Sequence, residues 1–397
     1  MTLASAIPSS GGRSAMRMAV SGLFFVNGIF VGSWAPKIPV LMHRLEISEA
    51  VTGLIVLLLG LGSISIMPVF GALTARRGSA HAVRLAAILL TPGLLLMSLA
   101  PNLPLVAVSV FLFGGMVGGM DVAMNANAVA VERVRRRAIM SSCHGFWSLG
   151  ALIGSGAGGI VITWLGEIGH ALLLTALFAA SLAVLLPQIL QDRPKLTDHV
   201  THRRGLPRSP LPYLIGLMAL CAMVPEGAIL DWAAVYLQKE MGASLSLAGW
   251  GFAACAATMA AMRFAGDVIR QRFGAERTLR VSVVIAITGM GVAGAASNAP
   301  MAIIGFGLAG LGIANLVPIA FSAAGNLPGI AQGVGLSVVT MMGYSGILLA
   351  PGSIGFLAEK TSFSLIYLGL AVLLMVPLLL SPLIRSADFE AEMPRPD

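Results

Sequence analysis

The feature that most constrains this chain is a succession of unbroken apolar runs, each about 20 residues long. A helix needs about that length to cross roughly 30 Å of hydrocarbon, and within a bilayer only a helix or a closed barrel satisfies every backbone polar group. The runs are continuous rather than alternating, which predicts helices. Twelve spans are predicted, over 18–36, 51–73, 84–100, 104–129, 139–163, 170–190, 211–237, 247–269, 279–296, 300–323, 332–356 and 363–384. Charge agrees: 11% of residues are charged, against roughly 25% in a soluble domain. The fold class is therefore an all-α membrane protein. Cys143, Cys221 and Cys255 fall in or beside the runs and have neither a disulfide framework nor metal spacing. The first 17 residues carry only Arg13 and Arg17 as basic groups and lead into a span of full length, so no cleavable signal peptide is expected.

Connections between the runs are short except at 191–210, Q-D-R-P-K-L-T-D-H-V-T-H-R-R-G-L-P-R-S-P, which is polar, basic and broken by proline. It divides the chain into 1–190 and 211–397, two halves of six spans each, with a cytoplasmic linker between them. Basic residues fix the orientation. With the N-terminus inside, the inside segments hold twenty Lys and Arg, and the outside segments hold only Lys37, Arg44, Lys239 and Lys360. Both termini are thus expected inside. The net charge of +8 lies in loops on one side, with no basic helix and no aromatic interleaving, so no nucleic-acid partner is expected. The Arg133–Arg137 cluster between spans four and five reads mainly as a topology signal, with anionic-lipid contact as a further role.

The halves repeat weakly. Spans two and eight both end in a Gly/Arg turn, G-A-L-T-A-R-R-G (71–78) and G-D-V-I-R-Q-R-F-G (266–274). Span five reads W-S-L-G-A-L-I-G-S-G-A-G-G (147–159) and span eleven Y-S-G-I-L-L-A-P-G-S-I-G (344–355). Aligning Ser155 with Pro351 also places Gly150 on Gly346, Gly156 on Gly352 and Gly159 on Gly355. Repeats in corresponding spans support a two-half transporter with its site near the midplane.

Across almost its whole length the chain resembles the major facilitator superfamily. The 6+6 layout, the basic central linker, the turn after span two and the glycines of span five carry the resemblance. The turn Gly71-x-Leu73-x-Ala75-Arg76-x-Gly78 resembles the family's loop motif, with Ala75 where an aspartate is usual. The resemblance implies gating roles for Arg76 and Arg77, while the missing acid puts the motif's charge contacts in question. Gly154-Ser155-x-x-Gly158-Gly159 is similar to the family's glycine-proline motif, with serine replacing proline. Two stretches, 124–150 and P-E-G-A-I-L-D-W-A-A-V-Y-L (225–237), resemble the branch that includes the fucose–proton symporter. Cargo does not follow from fold.

Ionisable groups inside spans are costly and mark candidate sites. Glu226 lies mid-span seven beside Pro225 and Gly227, where a helix break is expected to expose carbonyls to cargo. It is the first candidate for proton coupling; the competing reading is a structural hydrogen bond between helices. Asp231, five residues on, falls on another face and suits an outside gate or packing as well as cargo binding. Asp121 in span four is the second coupling candidate, because the fucose-symporter branch has a carboxyl group in that span. Asn125 shares its face, and His144 enters span five at similar depth. A pair Asp121–His144 reads either as a proton relay or as a packing network. Asn27 and Trp34 in span one, Trp147 in span five, Asn315 in span ten and Tyr344 in span eleven add amides and flat rings, the equipment for a sugar-like cargo. Each alone also fits helix–helix glue or, for Trp34, an interfacial belt. Arg263 and Asp267, four apart on span eight, are expected to form an intrahelical ion pair or inner gate.

No phosphate-binding loop, catalytic triad or metal spacing is present in the sequence, so neither an enzyme nor a cofactor is expected. The expected function is secondary active transport across the bacterial inner membrane: proton-coupled symport of a small polar solute, sugar or polyol in class, by a monomer. The alternative is proton-driven efflux of drugs or metabolites. A sensor or scaffold built on the same fold would need an appended soluble domain, and the sequence offers none.

Overall fold

The computed structural model describes residues 10–47, 49–192, 207–248 and 250–388. Most of the predicted linker, 193–206, lies outside them. Among the described residues there is no strand.

The helices are α1 (Ser10–Gly32), α2 (Lys37–Leu45), α3 (Glu49–Arg77), α4 (Ser79–Leu90), α5 (Gly93–Leu99), α6 (Leu103–Arg135), α7 (Met140–Leu185), α8 (Leu211–Lys239), α9 (Leu245–Ala248), α10 (Trp250–Phe273), α11 (Ala275–Gly294), α12 (Ala299–Ile313), α13 (Leu316–Gly325), α14 (Gln332–Ala358), α15 (Phe363–Leu373) and α16 (Met375–Leu379). Ten described stretches are long and apolar enough to cross a membrane. An eleventh joins them if Phe363–Leu379 and Ser381–Ala387, bent by 56°, count as one span. The 46-residue α7 is too long for one crossing and leaves helical geometry at Gly166, at φ 70° and ψ 173°. It comprises spans five and six, which accommodates the predicted twelve.

Three details differ from expectation. The break predicted at Pro225 is absent: α8 runs unbroken through it. Proline removes one intrahelical donor, and its fixed φ is still compatible with a helix. Span ten is divided instead, between Ile313 and Leu316. Span three is likewise divided around Thr91–Pro92.

Packing follows small residues. A Cβ on Gly28 would lie 2.2 Å from the Trp147 carbonyl oxygen, and one on Gly154 would lie 2.1 Å from that of Ile29. Only glycine permits that approach of α1 to α7. Span one packs on span five and span seven on span eleven; span two packs on span four and span eight on span ten. The halves meet where span two faces span eleven and where span five faces span eight. This is the pseudo-symmetric arrangement that the sequence repeat suggests.

The repeat is clearest in the turns. Gly78 and Gly274 adopt φ of 87° and 81°, in the region that favours glycine. Asp192 accepts from the amides of Ser79 (2.8 Å) and Ala80 (3.0 Å), and Asp388 accepts from that of Ala275 (2.6 Å). Asn102 and Asn298 each cap the helix that follows, accepting from Leu105 N and Met301 N. All three pairs keep the separation that aligns Ser155 with Pro351.

Candidate functional site

At mid-depth a chain of polar groups links four spans and both halves. Asn125 donates through Nδ2 to the Asp121 carbonyl (2.8 Å) and to Asp121 Oδ1 (3.1 Å). Asn125 Oδ1 lies 3.1 Å from His144 Nε2. Ser148 donates to the His144 carbonyl at 2.9 Å and accepts from Arg263 Nη1 at 2.6 Å. Arg263 Nη2 donates to Glu226 Oε1 at 3.3 Å. The chain passes through an amide and a backbone carbonyl, so it is a positioning ladder and not a proton wire. His144 lies between two rings, Phe24 at 5.4 Å and Phe321 at 5.7 Å. Beside the ladder, Trp147 Nε1 donates to Asn27 Oδ1 at 2.9 Å. The Tyr344 hydroxyl is within electrostatic range of both Asp121 and Glu226.

Most of the predicted residues converge here: Asp121, Asn125, His144, Trp147, Asn27, Glu226 and Tyr344. Five pairings or placements differ. Asp121 and His144 do not touch, because Asn125 stands between them. Arg263 and Asp267 do not pair; both reach span five, Arg263 through Ser148 and Asp267 through the amides of Ser141 and Ser142, and Arg263 takes Glu226 as its acid. Asn315 is fully buried in the break of span ten, against Gly266, whose Cβ would meet Asn315 Oδ1 at 2.0 Å. It is a helix contact. Trp34 lies past the end of α1 and packs in the apolar core. Asp231 is exposed, outside the ladder.

The arginine-rich end holds a second cluster. Glu132 Oε1 accepts from the amides of Ile139 (2.8 Å) and Met140 (3.0 Å). Asp267, from the other half, accepts from the amides of Ser141 (2.9 Å) and Ser142 (3.0 Å). Two carboxylates thus satisfy the orphan donors at the start of α7. Glu132 also bonds Arg270 Nη1 (3.1 Å) and Ser322 Oγ (2.7 Å), across to spans eight and ten. Glu132 is 0% and Arg270 2% exposed. Arg133 reaches Asn326 Oδ1 (2.5 Å) and the Gly325 carbonyl. The sequence reading missed Glu132, Arg270 and Ser148 as functional groups. Glu132 sits in a basic turn that resembles a topology signal, and only its partner across the halves shows what it does. Arg76 and Arg77, given gating roles, are both exposed, and Arg77 lies 3.3 Å from His81 Nε2 within its own half.

At the opposite end, contacts form within each half. Glu167 meets Lys37 (3.8 Å) and Arg44 (3.3 Å), and Glu240 accepts from the amide of Ser364 at 3.2 Å. The molecule is closed at its arginine-rich end.

The Major Facilitator Superfamily model matches residues 20–291 and 215–394. The chain belongs to the major facilitator superfamily. It is 34% identical over 369 residues to the uncharacterised transporter y4wD of Sinorhizobium fredii, covering 92% of this chain and 97% of that protein. It is 35% identical to an uncharacterised MFS-type transporter of Yersinia pestis, over 89% of this chain and 91% of the other. Among solved structures of the superfamily, FucP in its outward conformation superposes with a TM-score of 0.78 at 15% identity, covering 93% of this chain and 98% of that chain. That likeness is one of fold. As a major facilitator transporter, this chain is a multi-pass membrane protein acting on a small molecule.

Proposed function

We propose that this transporter couples uptake of a small polar solute, rich in hydroxyls as sugars and polyols are, to protons across the cytoplasmic membrane. Both termini and the arginine-rich end face inward in this reading, so the state described is closed to the cytoplasm. The observation that carries it is the Glu226–Arg263 pair at the centre of the bundle, where a quarter of the Glu226 side chain, 26%, remains open. An acid that is partly solvated, and held by one hydrogen bond from the other interfacial helix, is placed to exchange a proton when the site changes sides. Asp121 is the second exchange site, with Asn125 and His144 holding its position. FucP of Escherichia coli, a fucose:proton symporter of the same fold, makes symport the natural mode to test first.

Proteoliposomes with an imposed pH gradient decide between modes. Glu226→Gln is expected to abolish accumulation while sparing solute exchange. If Glu226→Gln and Asp121→Asn both leave gradient-driven accumulation intact, the coupling assignment is wrong. Cells lacking export pumps that become sensitive to lipophilic cations on Glu226→Gln would instead identify efflux.

A further inference from the structure

The ladder contains a group that a neutral sugar does not need. Arg263 is the one Lys or Arg at mid-depth among the described spans. Its guanidinium is always charged and is built to hold an oxyanion on two parallel N–H bonds. Here it is only partly used. Ser148 fixes Nη1, Glu226 takes Nη2 through a single contact at 3.3 Å, and Nε is buried without a hydrogen-bonding partner among the described residues. A strong carboxylate pair would be bidentate and shorter, about 2.7–2.9 Å. Arg263 is therefore anchored on one side by Ser148, with Nε and Nη2 left for a planar oxyanion.

Charge balance gives this a direction. The argument rests on the proton-coupling role assigned above to Glu226. When Glu226 takes up a proton, Arg263 becomes an uncompensated cation in a spanning helix, a costly state. The other charged or titratable groups around the pair do not relieve it. Cys255 comes from the same helix as Arg263, His144 from span five, and Tyr344 from span eleven. Asp121 is held by Asn125. A neutral solute leaves the cation bare; an anionic one neutralises it. Nearby, Asn27 Nδ2 and Asp121 Oδ2 are buried without partners among the described residues, a donor and an acceptor suited to hydroxyls.

We propose that Arg263 is the recognition residue for a carboxylate on the transported solute, a small hydroxylated acid, which replaces Glu226 on Arg263 as Glu226 is protonated. Each cycle then carries one proton and one anion, with no net charge. The carboxylate is bound through Nε and Nη2, in competition with the Glu226 carboxylate.

The test uses purified full-length protein and two matched probes, D-gluconate and D-sorbitol, which differ by an acid group. Thermal stabilisation is read for each probe in the wild type and in the variants. Gluconate is expected to stabilise the wild type, and sorbitol not. Arg263→Lys keeps the charge and loses the fork, and should weaken gluconate binding at least tenfold. Glu226→Gln removes the anion that competes for Arg263, so gluconate should bind this variant more tightly than the wild type; this variant tests the idea even if Arg263 variants fail to fold. Equal stabilisation by sorbitol, no stabilisation by gluconate, or unchanged gluconate binding in a folded Arg263→Lys would overturn the inference. Proton flux with sorbitol alone would sink the anion site and leave symport standing. Gluconate binding without proton flux would do the reverse.

Discussion

The two contacts between the halves occupy equivalent places and are built from opposite materials. Where span two meets span eleven, Gly71 lies against Gly333 and Ser337 so closely that a Cβ on Gly333 would come 2.3 Å from the Gly71 carbonyl oxygen. Where span eight meets span five and the end of span four, the contact is ionic: Asp267 caps Ser141 and Ser142, and Arg270 meets Glu132. In the alignment that matches the turns, Asp267 falls on Gly71, Arg270 on Thr74 and Arg263 on Met67. One seam is closed by shape and the other by charge. The loop motif resembled by 71–78 has its usual acid replaced by Ala75, which is buried at the shape-closed seam. The carboxylates that seal this state stand at the other seam.

Breaking the ionic seam should have the largest effect. Glu132→Ala leaves Arg270 buried with its carboxylate gone, a loss on the order of 3–5 kcal/mol. The closed arginine-rich end should open, seen as faster labelling of a cysteine introduced at that face, together with a lower melting temperature. If labelling is unchanged, the seam does not hold the gate. Breaking the shape-closed seam should cost less. Gly333→Val overpacks it by about 1–3 kcal/mol, and Gly333→Ser should cost less than Gly333→Val. Such a graded, size-dependent loss, insensitive to salt, would distinguish it from the ionic seam.

The smallest effect belongs to the far end, where Lys37 and Arg44 meet Glu167 within one half. Burial pushes the Lys37 ammonium down to about 8 from 10.5, opposed by Glu167 and reinforced by Arg44. The folded state holds this proton less tightly than the unfolded chain. Its contribution therefore makes stability rise with pH between about 8 and 10.5. Lys37→Met should flatten that slope in melting curves without altering labelling at the arginine-rich face. A change in gating would show the two ends to be coupled.

Fold class was legible because spanning length and loop arginines are strong, local signals. So was the convergence of Asp121, Asn125, His144 and Glu226, since each is a polar group at depth in an apolar run. What was not legible was pairing. Arg263 and Asp267 sit four apart, which on an isolated helix means partners. In the bundle each finds a better one across an interface, Glu226 at 3.3 Å and the α7 amides at 2.9 and 3.0 Å. Periodicity reports which face a residue occupies, and it is silent on what that face meets. Pro225 misled for a related reason: its helix-breaking tendency is intrinsic, and the surrounding bundle outweighs it.

The capping aspartates have a consequence for how the polypeptide can be divided. Asp192 ties the end of the first half to the start of α4, and Asp388 ties the end of the second to the start of α11. Each half closes on a stitch of its own before the chain leaves it. A nick between 192 and 207 would spare both stitches, so two separately synthesised fragments would each keep the aspartate that ties its end and could meet in the bilayer. A nick on the other side of Asp192 would hand the stitch to the wrong fragment.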